Sequence, residues 1–304
     1  MALLLSLLIA VGAYVRLTLN PMPIELAESA FLPRWAECIA SVLLLVATSL
    51  VVGRISVKMG AFRGFTALPI PIYAIVACGI VATPNALTAS VAAFVSALGV
   101  MLILRAYDNF GDKNSVFFAG LMFGLSAIVY PPCVVYLLLL IVAVVQSPLN
   151  WRQSVVGLVG WLLPIFTASY CSWYAGNDFK DVAWALYDSL AISENSFPLT
   201  PFPIVAAIQT ALLAMLFLYG VVQIVANRYT MLVKARKAMT FEMLAFATLM
   251  GSLLIPACGI TILPSLAIPV ATILAFAFEK LPSPISNFLY WGVLLATFLH
   301  LFLW

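Results

Sequence analysis

Apolar residues dominate this chain in long blocks, and polar residues gather in the short breaks between them. Within a block, Leu, Ala, Val, Ile and Phe follow one another with little alternation, as in helices that have no water-facing side. About 20 apolar residues are needed to cross the hydrocarbon of a bilayer. On that rule the blocks predict eleven helices, at roughly 1–17, 38–53, 64–82, 86–104, 115–130, 132–147, 154–175, 203–226, 241–258, 260–278 and 284–304. Hairpins pinched at Pro131-Pro132 and at Ile260 separate two of the pairs. The predicted fold class is all-α, a polytopic membrane helical bundle forming one domain over residues 1–304.

Two breaks are longer than the others. The second, from Gly176 to Phe197, places Val182, Ala185, Leu186 and Leu190 at helical spacing, with Asp181 and Asp188 on another face. This predicts a short helix lying on the membrane surface, anchored by Trp184 and Tyr187. The first, from Arg16 to Glu37, holds Glu25 and Glu28 three residues apart, so a helix begun at Pro23 carries both on one face. Both breaks read as surface or re-entrant helices roofing an outward-facing cavity. Pro69, Pro71, Pro131, Pro132, Pro164, Pro256, Pro264 and Pro269 fall in the spans, and a proline inside a helix removes a donor and kinks it.

Composition supports the same class: 65% of the 304 residues are hydrophobic and 8% charged, against about a quarter charged in soluble domains. The basic residues then set an orientation. Arg54, Lys58, Arg63, Arg105, Lys113, Arg152, Arg228, Lys234, Arg236, Lys237 and Lys280 fall on one side, and only Arg16, Arg34 and Lys180 on the other. Cytoplasmic loops hold the excess of Lys and Arg, so the N-terminus is expected inside. Seven carboxylates, Glu25, Glu28, Glu37, Asp178, Asp181, Asp188 and Glu194, then lie outside. The first span lacks a basic n-region and a small-residue cleavage site, and reads as a retained helix in a bacterial inner membrane. A net charge of +3 follows from this topology and calls for no nucleic acid.

Metal chemistry finds no ligand set. The five cysteines, Cys38, Cys78, Cys133, Cys171 and Cys258, form no CxxC pair, and His300 is the one histidine. No cofactor or metal is expected. The cysteines all fall toward the outer ends of their spans and read as small buried apolar residues rather than as disulfide partners. Gly120 and Gly124 form a GxxxG, which permits close helix approach and reads as packing.

Chemistry is sought in the outer loops. A carboxylate there is a solvated charge, a docking charge, or a general base facing a substrate from the lipid; Arg34 close by offers a partner to phosphate. Residues Phe117 to Pro164 contain an AGxxxGLS helix, a paired proline at an outer turn, a long apolar helix, a short turn with Trp151-Arg152, and a helix reaching Gly-Trp-Leu-Leu-Pro. That layout resembles the middle of GT-C-type polyprenyl-phosphate-dependent glycosyltransferases, over roughly half the chain. It is also similar to polytopic inner-membrane families with no assigned activity. The GT-C resemblance implies an essential acid in the first outer loop, here Glu25 or Glu28, taking a proton from an acceptor hydroxyl as it attacks the anomeric carbon of a lipid-linked sugar. Arg34 and Arg16 would hold the polyprenyl phosphate, and Asp178 and Asp181 the acceptor. The first loop lacks an adjacent acidic pair, so the implied displacement uses no metal.

Two other classes fit the same pattern. A non-catalytic scaffold subunit of an envelope complex would use this apolar bundle to hold membrane-protein partners, with the basic stretch from Asn227 to Glu242 docking a partner or anionic lipid. A transporter of lipid or solute is the other. Ion-coupled carriers keep ionisable groups deep in the bilayer, whereas every Asp, Glu, Lys and Arg here falls at a predicted span end or in a loop. Proton or sodium coupling is therefore not expected.

Overall fold

The computed structural model describes residues 4–5, 8–9, 12, 34–60, 62, 67–77, 86–108, 113–146, 151–191, 204–253, 258 and 262–303. Among them it is all-helical, with no strand. The helices are α1 (Arg34–Met59), α2 (Pro69–Ala77), α3 (Ala86–Asp108), α4 (Lys113–Val129), α5 (Tyr136–Gln146), α6 (Trp151–Tyr174), α7 (Asp181–Ala191), α8 (Ile204–Ala226), α9 (Val233–Ser252), α10 (Leu263–Lys280) and α11 (Ser283–Leu303). A 3₁₀ turn, Pro131–Val135, leads into α5. Five stretches are long and apolar enough to cross a membrane: Ile39–Lys58, Leu87–Tyr107, Arg152–Tyr174, Ile208–Ala226 and Leu263–Lys280. Lys113–Val129, Pro131–Ala143 and Ser283–Leu299 are shorter apolar stretches, and most of the first predicted span lies outside the described residues.

The core is built around α10, whose residues from Pro264 to Phe278 are all buried. A helix that is apolar on every side must be covered on every side, and α2, α8, α9, α3 and α1 pack around it. The large apolar side chains that remain exposed lie on the outer helices, such as Leu163, Phe166 and Trp173 on α6, Met215 and Leu218 on α8, and Phe288 and Trp291 on α11. So extensive an apolar surface marks contact with lipid or another protein.

Helices α4 and α6 make the closest crossing. A Cβ on Gly120 would run into the Gly157 carbonyl oxygen, one on Gly124 into that of Trp161, and one on Gly160 into that of Phe117. The GxxxG therefore serves packing, with glycines on the facing helix completing the contact. On the far side of α4, Phe123 fills the space against Gly99 of α3. Between α8 and α11, the Gln209 Nε2 donates to Thr297 Oγ1 at 3.0 Å, and Thr297 Oγ1 in turn donates to the Val293 carbonyl at 2.8 Å.

The prolines divide into two kinds. Pro69, Pro131, Pro132 and Pro264 stand in the first turn of a helical segment, where the missing N–H has no intrahelical partner to lose. Pro164 and Pro269 lie inside α6 and α10, and Thr167 and Thr272 donate their hydroxyls to the carbonyls of those prolines at 2.8 Å and 2.9 Å. Pro256 lies outside the described residues.

Helix α9 departs from the expected 241–258. It starts at Val233 and takes in Lys234, Arg236 and Lys237, which read in sequence as a basic loop. The three are half-buried in its first turns, as suits long charged side chains at the end of a bundle helix. The shift moves Glu242 from the edge of a span to the tenth position of a 20-residue helix.

Candidate functional site

Of the residues expected to carry chemistry, Arg16, Glu25 and Glu28 lie outside the described residues, and Arg34 is described only as the first residue of α1. Asp178 and Asp181 are both described and exposed. The Asp178 N–H donates to Asp181 Oδ2 at 2.9 Å, and the Asp181 N–H donates to the Asp178 carbonyl at 3.1 Å. This is the reach-back half of a capping box, in which a carboxylate three residues on satisfies the backbone of the cap. The pair thus starts α7, while the outward side of each carboxylate stays open to solvent.

Helix α7 is the short helix expected from the spacing, although Ala185 of the expected apolar stripe is exposed. Val182, Leu186 and Leu190 are half-buried, while Trp184 and Tyr187 are exposed with their rings edge to face at 5.9 Å. It packs against α6 and against the 3₁₀ turn.

The interior holds a group that the sequence reading placed at a span end. Glu242 is 0% exposed, and neither carboxylate oxygen has a hydrogen-bond partner. Its helix packs on α10, α5, α1, the 3₁₀ turn and α3. Tyr107 on α3 and Tyr136 on α5 lie on two of these packed helices. Tyr107 donates to the Ala143 carbonyl at 3.2 Å, and its ring stands edge-on to Phe241 at 6.2 Å. Tyr136 is 1% exposed and stacks on Phe123 with centroids 5.0 Å apart. The Ser96 and Ser265 hydroxyls lie beside Tyr136 Oη but outside hydrogen-bonding geometry, and Ser96 is spent on the Ala93 carbonyl at 2.9 Å.

The polar cluster continues along the turn. Cys133 Sγ is 3.9 Å from Ser265 Oγ, and Cys258 Sγ is 3.7 Å from Ser252 Oγ. Both cysteines are free and buried, while Cys171 is free and exposed. Cys38 is described only through its backbone in α1, and Cys78 lies outside the described residues. Among the described residues no group of His, Cys, Asp and Glu is arranged to hold a metal. The sequence signal for this centre is the single carboxylate in the otherwise apolar run Phe241–Ala247. It was obscured by the basic residues just before it.

A protein-family model described as a family of unknown function (DUF6427) matches residues 7–303. No curated protein matches the chain, and no solved structure does.

Proposed function

The chain belongs to the DUF6427 family, and from that premise we propose that it is a multi-pass bacterial inner-membrane protein that transfers a sugar from a lipid-linked donor at the extracytoplasmic face. In this reading all eleven apolar blocks cross the membrane and the N-terminus is cytoplasmic, as the eleven-to-three distribution of basic residues favours. The observation that carries the reading is the segment from Asn177 to Ala191. It is an acid-bearing turn and an aromatic-edged helix laid against the end of α6 and the 3₁₀ turn, as a roof over a lipid-accessible groove would be.

The chemistry assigns one role to each loop. Glu25 or Glu28 accepts the proton of the acceptor hydroxyl while its oxygen bonds to the anomeric carbon, and the bond from that carbon to the phosphate oxygen breaks. Arg34 and Arg16 take up the charge on the departing polyprenyl phosphate. Asp178 and Asp181 use their outward lone pairs to orient the acceptor, since the capping bond occupies only one oxygen.

The test is transfer from a radiolabelled polyprenyl-phosphate sugar by the protein in native-lipid nanodiscs, with bound lipid read by native mass spectrometry. Glu25→Gln or Glu28→Gln is expected to lower transfer by about 10²–10⁴-fold, the usual loss for a general base. Transfer at the original rate in both variants rejects the assignment.

One observation favours a second reading, a scaffold subunit. The turn between α8 and α9 exposes Tyr229 at 90% and Leu232 at 71%, beside Arg228. Aromatic, aliphatic and basic groups together suit a docking surface for a membrane-protein partner. A partner of fixed stoichiometry in the same spectra, lost in Tyr229→Ser, would establish it.

A further inference from the structure

We propose that Glu242, with the Tyr107 and Tyr136 hydroxyls on helices packed against its own, is a binding site for one monovalent cation, a proton or Na⁺, inside the bundle. This does not rest on the sugar-transfer reading, which uses only groups in the outer loops. It reverses the expectation that no ionisable group lies deep in a helix. Glu242 stands midway along α9 and is fully buried, and a carboxylate so placed is costly to keep and marks ion or proton pathways.

The surroundings argue for a ligand rather than for a structural ion pair. Every element packed on α9 carries a polar or charged group: Tyr107 and Arg105 on α3, Cys133 on the turn, Tyr136 on α5, Ser265, Glu279 and Lys280 on α10, and Arg54 and Lys58 on α1, of which Arg54, Lys58 and Arg105 are exposed whereas Glu242 is buried. On α9 itself Lys234, Arg236 and Lys237 lie one to two turns before Glu242. The Glu242 carboxylate accepts a hydrogen bond from none of these. A buried charge without a partner costs several kcal/mol, so the site is stable when a positive charge arrives from outside the chain.

The ligand atoms choose the kind of cation. They are all hard oxygens, which suit a proton or an alkali ion and not a soft metal. Tyr107 donates its hydroxyl hydrogen bond to the Ala143 carbonyl, which leaves the lone pairs of its oxygen free to accept. Tyr136 has a buried hydroxyl with no hydrogen bond of its own, held in place by its stack on Phe123. One carboxylate and two neutral hydroxyls balance a single charge. A divalent ion would leave an uncompensated positive charge in an apolar core.

The site is tested on the full chain in nanodiscs with dicyclohexylcarbodiimide, which adds to a protonated carboxyl in an apolar setting, the adduct being located by mass spectrometry. The expected result is an adduct at Glu242 whose rate of formation responds to the cation. A fall of about tenfold per pH unit at alkaline pH, unaffected by Na⁺, identifies the proton as the ligand. A similar fall on adding NaCl at constant pH, with choline chloride inert, identifies Na⁺. No adduct at Glu242, or one formed at a rate that neither pH nor Na⁺ changes, overturns the proposal. Because the readout is on the unmodified sequence, it does not depend on any variant folding. Loss of the adduct in Glu242→Gln checks its location.

Discussion

At the scale of single residues, the side chain that fills a position is decided by what lies one atom beyond it. Gly120 and Gly292 both sit inside helices, yet a Cβ on Gly120 meets a backbone carbonyl of α6 while one on Gly292 meets nothing. The same change therefore has opposite signs. Gly120→Ala is expected to cost about 1–3 kcal/mol through overpacking, and Gly292→Ala to gain up to about 1 kcal/mol from helix propensity. Thermal unfolding in a mild detergent, with the two variants side by side, checks this; equal shifts would mean that α4 and α6 do not cross at the glycines. Glu242 gives a second contrast. Glu242→Gln keeps the volume and removes the ionisable group, so it should unfold within about 1 kcal/mol of the parent, or later. Glu242→Leu keeps the site apolar, and Glu242→Lys buries an unpaired cation, which should cost about 3–5 kcal/mol. A Lys variant as stable as the Gln variant would show that the position reaches water.

At the scale of elements, most helices were legible because apolar blocks of bilayer length have few alternative structures. The expected 203–226 and the observed Ile204–Ala226 differ by one residue, and 284–304 becomes Ser283–Leu303. The α7 helix was legible too, since Val182, Leu186 and Leu190 repeat at the helical period. Its start was read differently. The sequence offers Asp178 and Asp181 as binding groups, and the structure adds a capping role that depends on the backbone turn between them. Asp181→Ala removes the carboxylate that accepts the Asp178 N–H and is expected to cost about 1 kcal/mol locally. Hydrogen exchange should then speed up over 181–191 and leave α6 and α10 unchanged. Acceleration throughout the bundle would mean that α7 is part of the cooperative core. Helix α9 was misread because Lys234, Arg236 and Lys237 carry the composition of a loop. Local pattern does not reveal that neighbouring helices cover their stems.

At the scale of the whole molecule, what the sequence withheld is the identity of the inside. Fifteen consecutive residues of α10 are buried, whereas α6 and α8, as apolar in composition, turn Phe166, Met215 and Leu218 outward. Hydropathy treats these helices alike, because lipid and a protein core are both apolar. Only contacts between distant parts of the chain distinguish them, and the same contacts bury Glu242. Charge, by contrast, is read by the membrane and not by the core, so orientation remains a property of the sequence. If basic residues face the cytoplasm, the Asn227–Leu232 turn is inside and the Gly176–Lys180 turn is outside. Lys180 and Tyr229 are both exposed, so labelling there reports side and not burial. In intact cells a membrane-impermeant maleimide should reach Lys180→Cys and not Tyr229→Cys, and permeabilised cells should label both. The native Cys171, exposed near the end of α6 that leads into the Gly176–Lys180 turn, is removed first to keep the background low. The reverse pattern would invert the molecule and put Asp178 and Asp181 in the cytoplasm, out of reach of a donor presented at the outer face. Labelling of both in intact cells would mean that α8 does not cross the membrane, although its length and composition allow it to.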